Sequence, residues 1–226
     1  MTLDFIHSVK KVVPSNPNGQ TILYLNGHGG RTYLSLRQLN VLKNEGFHVT
    51  ALDFSFSIRK HNPRDLIRLI DQVDEFIRNN GLLNEKLTII GISLGGLVGF
   101  NMIRRHKVLR RLVVITGGNI ALVPSNRHLK KKWSIDRKKL HDLWSDVNMF
   151  TPIGKIRHKN ILMLLPKNDK VINPEEVSEE IELLKPCNNI EVIRTPGGHY
   201  RTVISETIIN PDRILSYLKT LDRSDS

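Results

Sequence analysis

The sequence predicts an α/β fold, with a mostly parallel central sheet and helices on both of its faces. Three observations predict it. Short runs of apolar and β-branched residues recur along the whole chain. Stretches with helical apolar spacing separate most of these runs, and that alternation is the signature of parallel strands joined by crossover helices. The 226 residues contain neither an internal repeat nor a low-complexity linker, so one core and a single domain over 1–226 are expected.

The elements follow in order. Residues 1–13 hold one or two short edge strands and end at a loop rich in Pro, Asn and Gly. Residues 20–25 form the next strand, stopped by Asn26-Gly27-His28-Gly29-Gly30. A helix with Leu34, Leu36, Leu39 and Leu42 as its buried face leads to Gly46 and a strand over 47–54. Pro63 suits the first turn of a helix whose apolar positions run from Leu66 to Ile77. Strands are then predicted at 87–90, 112–116, 161–165 and 190–194, with helices after Ser93, at 175–184 and at 212–221.

One interval interrupts the alternation. Residues 117–158 carry no strand signal, but they contain Trp133, Trp144, a helix predicted over 136–149 and a dense basic run. A long excursion that leaves the carboxyl edge of a sheet would lie over a site formed there, so this segment is a candidate helical cap; an ordinary helical crossover with solvated charges is the other reading.

The chemistry centres on Gly91-Ile92-Ser93-Leu94-Gly95. A strand that enters Gly-x-Ser-x-Gly and leaves as a helix forces the serine onto a tight, strained turn and lifts its hydroxyl above the sheet edge. Such a hydroxyl needs a base, and the base needs an orienting acid. His199, after Pro196-Gly197-Gly198, and Asp169, after Leu164-Leu165-Pro166-Lys167-Asn168, each follow the carboxyl end of a predicted strand. In a parallel sheet these ends share one edge, so Ser93, Asp169 and His199 are expected to converge as nucleophile, acid and base. Of the nine histidines, His106, His128, His141 and His158 stand among basic residues and are expected to be solvated. An oxyanion needs two preorganised donors. The Leu94 N–H is one candidate; His28, with Gly29 second, is the other, in a loop where Gly27 and Gly29 allow close backbone approach. That loop lacks the pattern of a phosphate-binding loop or a dinucleotide fingerprint, which argues against a nucleotide site.

These pieces, with Asp53 and the run from Leu164 to Asp169, resemble the α/β-hydrolase superfamily over about residues 20–221. The resemblance implies Ser93 as nucleophile, His199 as base, Asp169 as orienting acid, Leu94 and His28 as the oxyanion hole, 117–158 as a small cap, and shortened N-terminal strands. A serine nucleophile points to a carboxylic-ester or thioester hydrolase working through an acyl-enzyme. Using the same triad, a serine peptidase or amidase is the nearest alternative, and a non-catalytic binding protein of this fold is the next. Phe54, Trp133 and Trp144, beside Gly27 and Gly29, are candidates to line an acyl pocket; core or cap packing is the other reading of the aromatic positions. The sequence shows no metal-ligand spacing, and this chemistry requires no cofactor.

Composition limits the partners. Lys and Arg number 34 against 22 acidic residues, for a net charge of +12. Seven basic residues between Arg127 and Lys139 face Asp136 alone, and a second cluster comprises Arg104, Arg105, Lys107, Arg110 and Arg111. A solvated helix face is one reading of such charge, and attraction of an anionic substrate or an anionic membrane surface is the other; no motif indicates specific nucleic-acid binding. Cys187 is the only cysteine, so no internal disulfide forms, and the first residues lack the apolar run of a secretory signal. A cytoplasmic location is expected.

Overall fold

The computed structural model describes residues 5–27, 35–56, 63–117, 156–172 and 174–224. Among them, seven strands form one sheet in the order β1-β3-β2-β4-β5-β6-β7. They are β1 (Ile6–Val12), β2 (Thr21–Leu25), β3 (His48–Phe54), β4 (Leu87–Ile92), β5 (Arg111–Ile115), β6 (Asn160–Pro166) and β7 (Asn189–Thr195). Only β1 runs antiparallel, against β3; every other pairing is parallel. The helices are α1 (Leu36–Asn44), α2 (Pro63–Asn79), α3 (Leu94–Arg105), α4 (Pro174–Leu184), α5 (His199–Ile204) and α6 (Asp212–Ser224).

Strand alternation divides the core in two. In β2, Leu23 and Leu25 point to one face and Ile22 and Tyr24 to the other, because successive side chains in a strand leave opposite sides. The first face packs against α2, α3 and α4 through residues such as Leu69, Val73, Leu97, Phe100 and Ile181. The second packs against α1 and α6 through Leu39, Leu42, Ile214 and Leu218. Helices on both faces explain why β4 and β5 are buried at every position.

Close packing of α3 on the sheet depends on its glycines. A Cβ on Gly95 would strike the Leu25 carbonyl, and one on Gly91 would strike the backbone of Gly95 and Gly96. Gly99 meets only the side chains of Leu112 and Ile89. The helix can therefore begin directly against the ends of β2 and β4.

The sequence-based elements and the structure differ in two places. The chain after Gly198, where the sequence predicts no helix before 212, forms α5 and continues through a π-helical turn over Ser205–Ile209. His106, expected in solvent, is buried, and its Nε2 lies 2.7 Å from Asp74 Oδ1 on α2. The α2–α3 contact supplies a carboxylate 32 positions back in the chain, which the local basic context does not reveal. No helix among the described residues is long and apolar enough to cross a membrane.

Candidate active site

β4 hands the chain to α3 through Ser93, the only residue between them. Its φ of 49° and ψ of −109° lie in a region that side chains with a Cβ rarely adopt. Strain of this kind costs on the order of 1–3 kcal/mol and persists only where the surroundings fix it. Here the Ser93 N–H donates to the Ile115 carbonyl at 2.9 Å. Its own carbonyl accepts from Gly96 N–H at 2.9 Å and Leu97 N–H at 3.3 Å.

His199 opens α5 with Gly198 before it as N-cap. Gly197, at φ +98°, turns the chain back from β7, and its carbonyl accepts from Asn168 N–H at 3.2 Å. This ties the loop after β7 to the loop after β6. The result is a continuous polar chain. His199 Nε2 lies 3.2 Å from Ser93 Oγ, and His199 Nδ1 lies 2.9 Å from Asp169 Oδ2. Both His199 and Asp169 side chains are nearly buried, at 7% and 5% exposure.

Asp169 is itself held by its turn. Its Oδ1 accepts from Val171 N–H at 2.7 Å and Ile172 N–H at 3.0 Å. Burial works to raise its pKa. The hydrogen bond and charge of His199, with the N–H groups of Ile172 and Val171, outweigh burial and hold the carboxyl below its ordinary value. Asp169 is thus an anion facing the imidazole, positioned to accept from Nδ1 and leave Nε2 free for the serine proton.

Thr116 is a further neighbour that the sequence pattern did not single out. It follows β5, is fully buried, and has φ +52°, an outlier for a β-branched residue. Its N–H donates to the Leu164 carbonyl at 2.9 Å, and its Oγ1 stands 3.5 Å from His199 Nε2. At that distance the contact is packing more than a hydrogen bond. Only its place at the carboxyl end of β5 could have marked it.

Of the expected oxyanion residues, Leu94 begins α3. Its N–H is one of the first-turn donors with no carbonyl four residues behind it in the helix. Gly27 stands close by: a Cβ there would lie 3.1 Å from the Ile92 carbonyl oxygen and 3.4 Å from Ser93 Cβ. The stretch before it is fixed by Asn26, whose Nδ2 donates to Asp53 Oδ1 at 2.6 Å and whose Oδ1 accepts from Ser35 Oγ at 3.2 Å. Asp53 Oδ2 accepts from Ser8 Oγ at 2.6 Å. This buried network joins β1, β3, β2 and the start of α1, and it anchors both ends of the loop between β2 and α1. The spacing of these residues gave no hint of it.

Phe54 is 4% exposed and belongs to the core cluster that includes Phe5, Leu52 and Phe56. His28, Gly29, Trp133 and Trp144 lie outside the described residues, as does nearly all of the expected cap. From that segment Gly117 packs against Ser93, while Ile156–158 lie before β6 at the opposite edge of the sheet. No cluster of His, Cys, Asp or Glu among the described residues could hold a metal ion.

No family model matches the sequence, and neither does any curated protein. Solved structures do match. An α/β-hydrolase enzyme from the metagenome of sediments of the Mar Chica lagoon superposes with a TM-score of 0.65 at 16% identity, over 96% of this chain and 94% of that one. A Pyrococcus furiosus esterase gives 0.64 at 19%, over 96% and 91%. A structure from the thaumarchaeon Nitrososphaera gargenis, described in connection with carboxylesterases, gives 0.65 at 15%, over 96% and 95%. Likeness at such identities, across nearly the full length of both partners, speaks of architecture. With its sheet order, its strained Ser93 turn and these neighbours, the chain has the α/β-hydrolase fold.

Proposed function

We propose that the protein is a serine hydrolase that cleaves a carboxylic ester or thioester through an acyl-enzyme on Ser93. The observation that carries this reading is the unbroken path from Ser93 Oγ through His199 to the ionised Asp169. A binding module has no use for a strained hydroxyl joined to a buried imidazole and carboxylate.

In the proposed reaction Ser93 Oγ attacks the acyl carbon while its proton passes to His199 Nε2. Negative charge grows on the former carbonyl oxygen, beside the first-turn N–H of Leu94. Collapse breaks the bond to the alcohol or thiol, which leaves with the proton from His199. Water then repeats the sequence on the acyl-serine, giving up its proton to His199 and returning Ser93 as the leaving group. Throughout, Asp169 keeps the imidazole in the tautomer that presents Nε2 to the serine and offsets its positive charge. The esterase names of the structural neighbours support the ester as the substrate class.

A fluorophosphonate probe tests the nucleophile. The wild-type protein should be labelled and Ser93→Ala should not; equal behaviour of the two would overturn the reading. A series of p-nitrophenyl esters of increasing chain length, run against aminoacyl amides, then separates esterase from peptidase.

A further inference from the structure

A second concentration of charge lies at the other edge of the sheet. α3 ends at Arg105, and the turn over 106–110 enters the amino end of β5. The segment over 156–159 enters the amino end of β6. Because β5 and β6 are parallel neighbours, these two turns lie side by side, with Asn160 N–H donating to the Arg110 carbonyl at 2.8 Å. Together they line a cleft of about 660 Å³. Arg104 and Arg105 come from the end of α3, Lys107 and Arg110 from the turn after it, and Arg157, His158 and Lys159 from the second segment. No carboxylate lines it among the described residues.

Lys159 organises this cleft. Its side chain is buried, and its ammonium donates to the carbonyls of His106 at 3.2 Å, Lys107 at 3.1 Å and Leu109 at 2.6 Å. All three donors are thus used within the protein. Lys159 clamps one turn to the other and adds charge from beneath without offering a hydrogen bond to a ligand. Burial, and then the charge of Arg110, push its pKa down to about 8. Arg105 is partly committed to Asp71 at 2.8 Å and Asp74 at 3.4 Å. Lys107 and Arg110 remain exposed at the rim.

We propose that this cleft is a binding site for a multiply charged phosphate, carried either by a free phosphorylated molecule or by a membrane lipid headgroup. Several guanidinium and ammonium groups converge from two turns onto a volume that suits a small ligand. Guanidinium forks match phosphate oxygens in pairs. Lys107 and Arg110, exposed at the rim, are the groups such an anion would meet first. The site is separate from Ser93. β4 is six residues long, and at ~3.3 Å per residue the two edges are about 20 Å apart.

Calorimetric titration of the full chain with inorganic pyrophosphate at physiological salt tests the proposal. Saturable binding is expected. The pair Lys107→Glu and Arg110→Glu should weaken it at least about tenfold, a difference readily resolved in an affinity measurement. The pair Lys10→Glu and Lys11→Glu on β1, with the same change in net charge, should leave it within about twofold. Vesicles of phosphatidylcholine with and without phosphatidylinositol bisphosphate separate the two sources. Capture that pyrophosphate displaces assigns the headgroup; pyrophosphate binding without capture assigns a free ligand. The proposal is overturned by absence of saturable binding, by equal weakening in both pairs, or by binding confined to long oligonucleotides. Unchanged labelling of Ser93 in both pairs verifies that the variants are folded.

Discussion

Asp169 divides its two carboxylate oxygens between two tasks: Oδ2 lies 2.9 Å from His199 Nδ1, while Oδ1 is taken by the N–H groups of Val171 and Ile172. Orientation of the imidazole is therefore set by the backbone of the turn after β6. An asparagine at this position would keep much of the turn yet could present an N–H to Nδ1, favouring the tautomer with its proton on Nε2. For Asp169→Asn we expect kcat on a p-nitrophenyl ester to fall by about 10⁴ with little change in KM. Steady-state kinetics would sink this assignment if more than a tenth of kcat survived.

The same carboxylate should mark the acid limb of stability. Its pKa in the folded protein lies below the ordinary 3.8, because His199 and the turn N–H groups outweigh burial. Between the folded value and 3.8 the unfolded chain binds the extra proton. The contribution of Asp169 is thus complete above 3.8 and lost as the pH falls through the folded value. Urea midpoints measured from pH 7 downwards should show wild type and Asp169→Asn converging below about pH 4, near the ordinary aspartate pKa. A constant gap between them would contradict this assignment.

Gly95 and Gly99 lie one turn apart on α3 but should respond differently to alanine. At Gly95 the new Cβ would meet the backbone of Leu25 and Asn26, which cannot move without shifting β2. We expect Gly95→Ala to cost about 1–3 kcal/mol and to slow labelling of Ser93. At Gly99 the neighbours are Leu112 Cδ1 at 2.7 Å and Ile89 Cγ2 at 3.1 Å, both side-chain ends. Alanine there gains about 1 kcal/mol of helix propensity, so Gly99→Ala should be far milder. Chemical denaturation of the two variants side by side decides the matter.

Asn26 should matter for both stability and rate. Its 2.6 Å bond to Asp53 is buried, and its loss in Asn26→Ala should cost about 1–3 kcal/mol. Since Asn26 fixes the approach of Gly27 to Ser93, kcat should fall more than KM rises. A variant with lowered stability but unaltered kcat at low temperature would make Asn26 a structural residue alone.

The strands were legible because their chemistry is local. Burial on both faces demands nearly unbroken apolar residues, and the 161–165 run announces β6 whatever its neighbours are. The convergence of Ser93, Asp169 and His199 could be anticipated for a related reason: each follows the carboxyl end of a strand, and parallel strands bring those ends to one edge. What could not be read depends on which strand stands beside which. Ser8, Asp53 and Asn26 meet only because β1 and β2 both pair with β3, so partners 45 and 27 positions apart become neighbours. His106 likewise meets Asp74 only because α3 packs on α2. Arg157 and Lys159 join the second basic cluster only through the adjacency of β5 and β6.

The hydrogen bond between His199 and Ser93 joins residues 106 positions apart, and β5, β6 and β7 all lie between them in the chain. No piece of the protein that stops short of the β7 turn can assemble this bond. Reactivity of Ser93 is therefore a gauge of the whole carboxyl-terminal half of the sheet, not of its own turn. In a urea titration the fraction of molecules labelled by a fluorophosphonate should fall in step with far-ultraviolet circular dichroism, and a newly synthesised chain should acquire reactivity only after its last strand has been made.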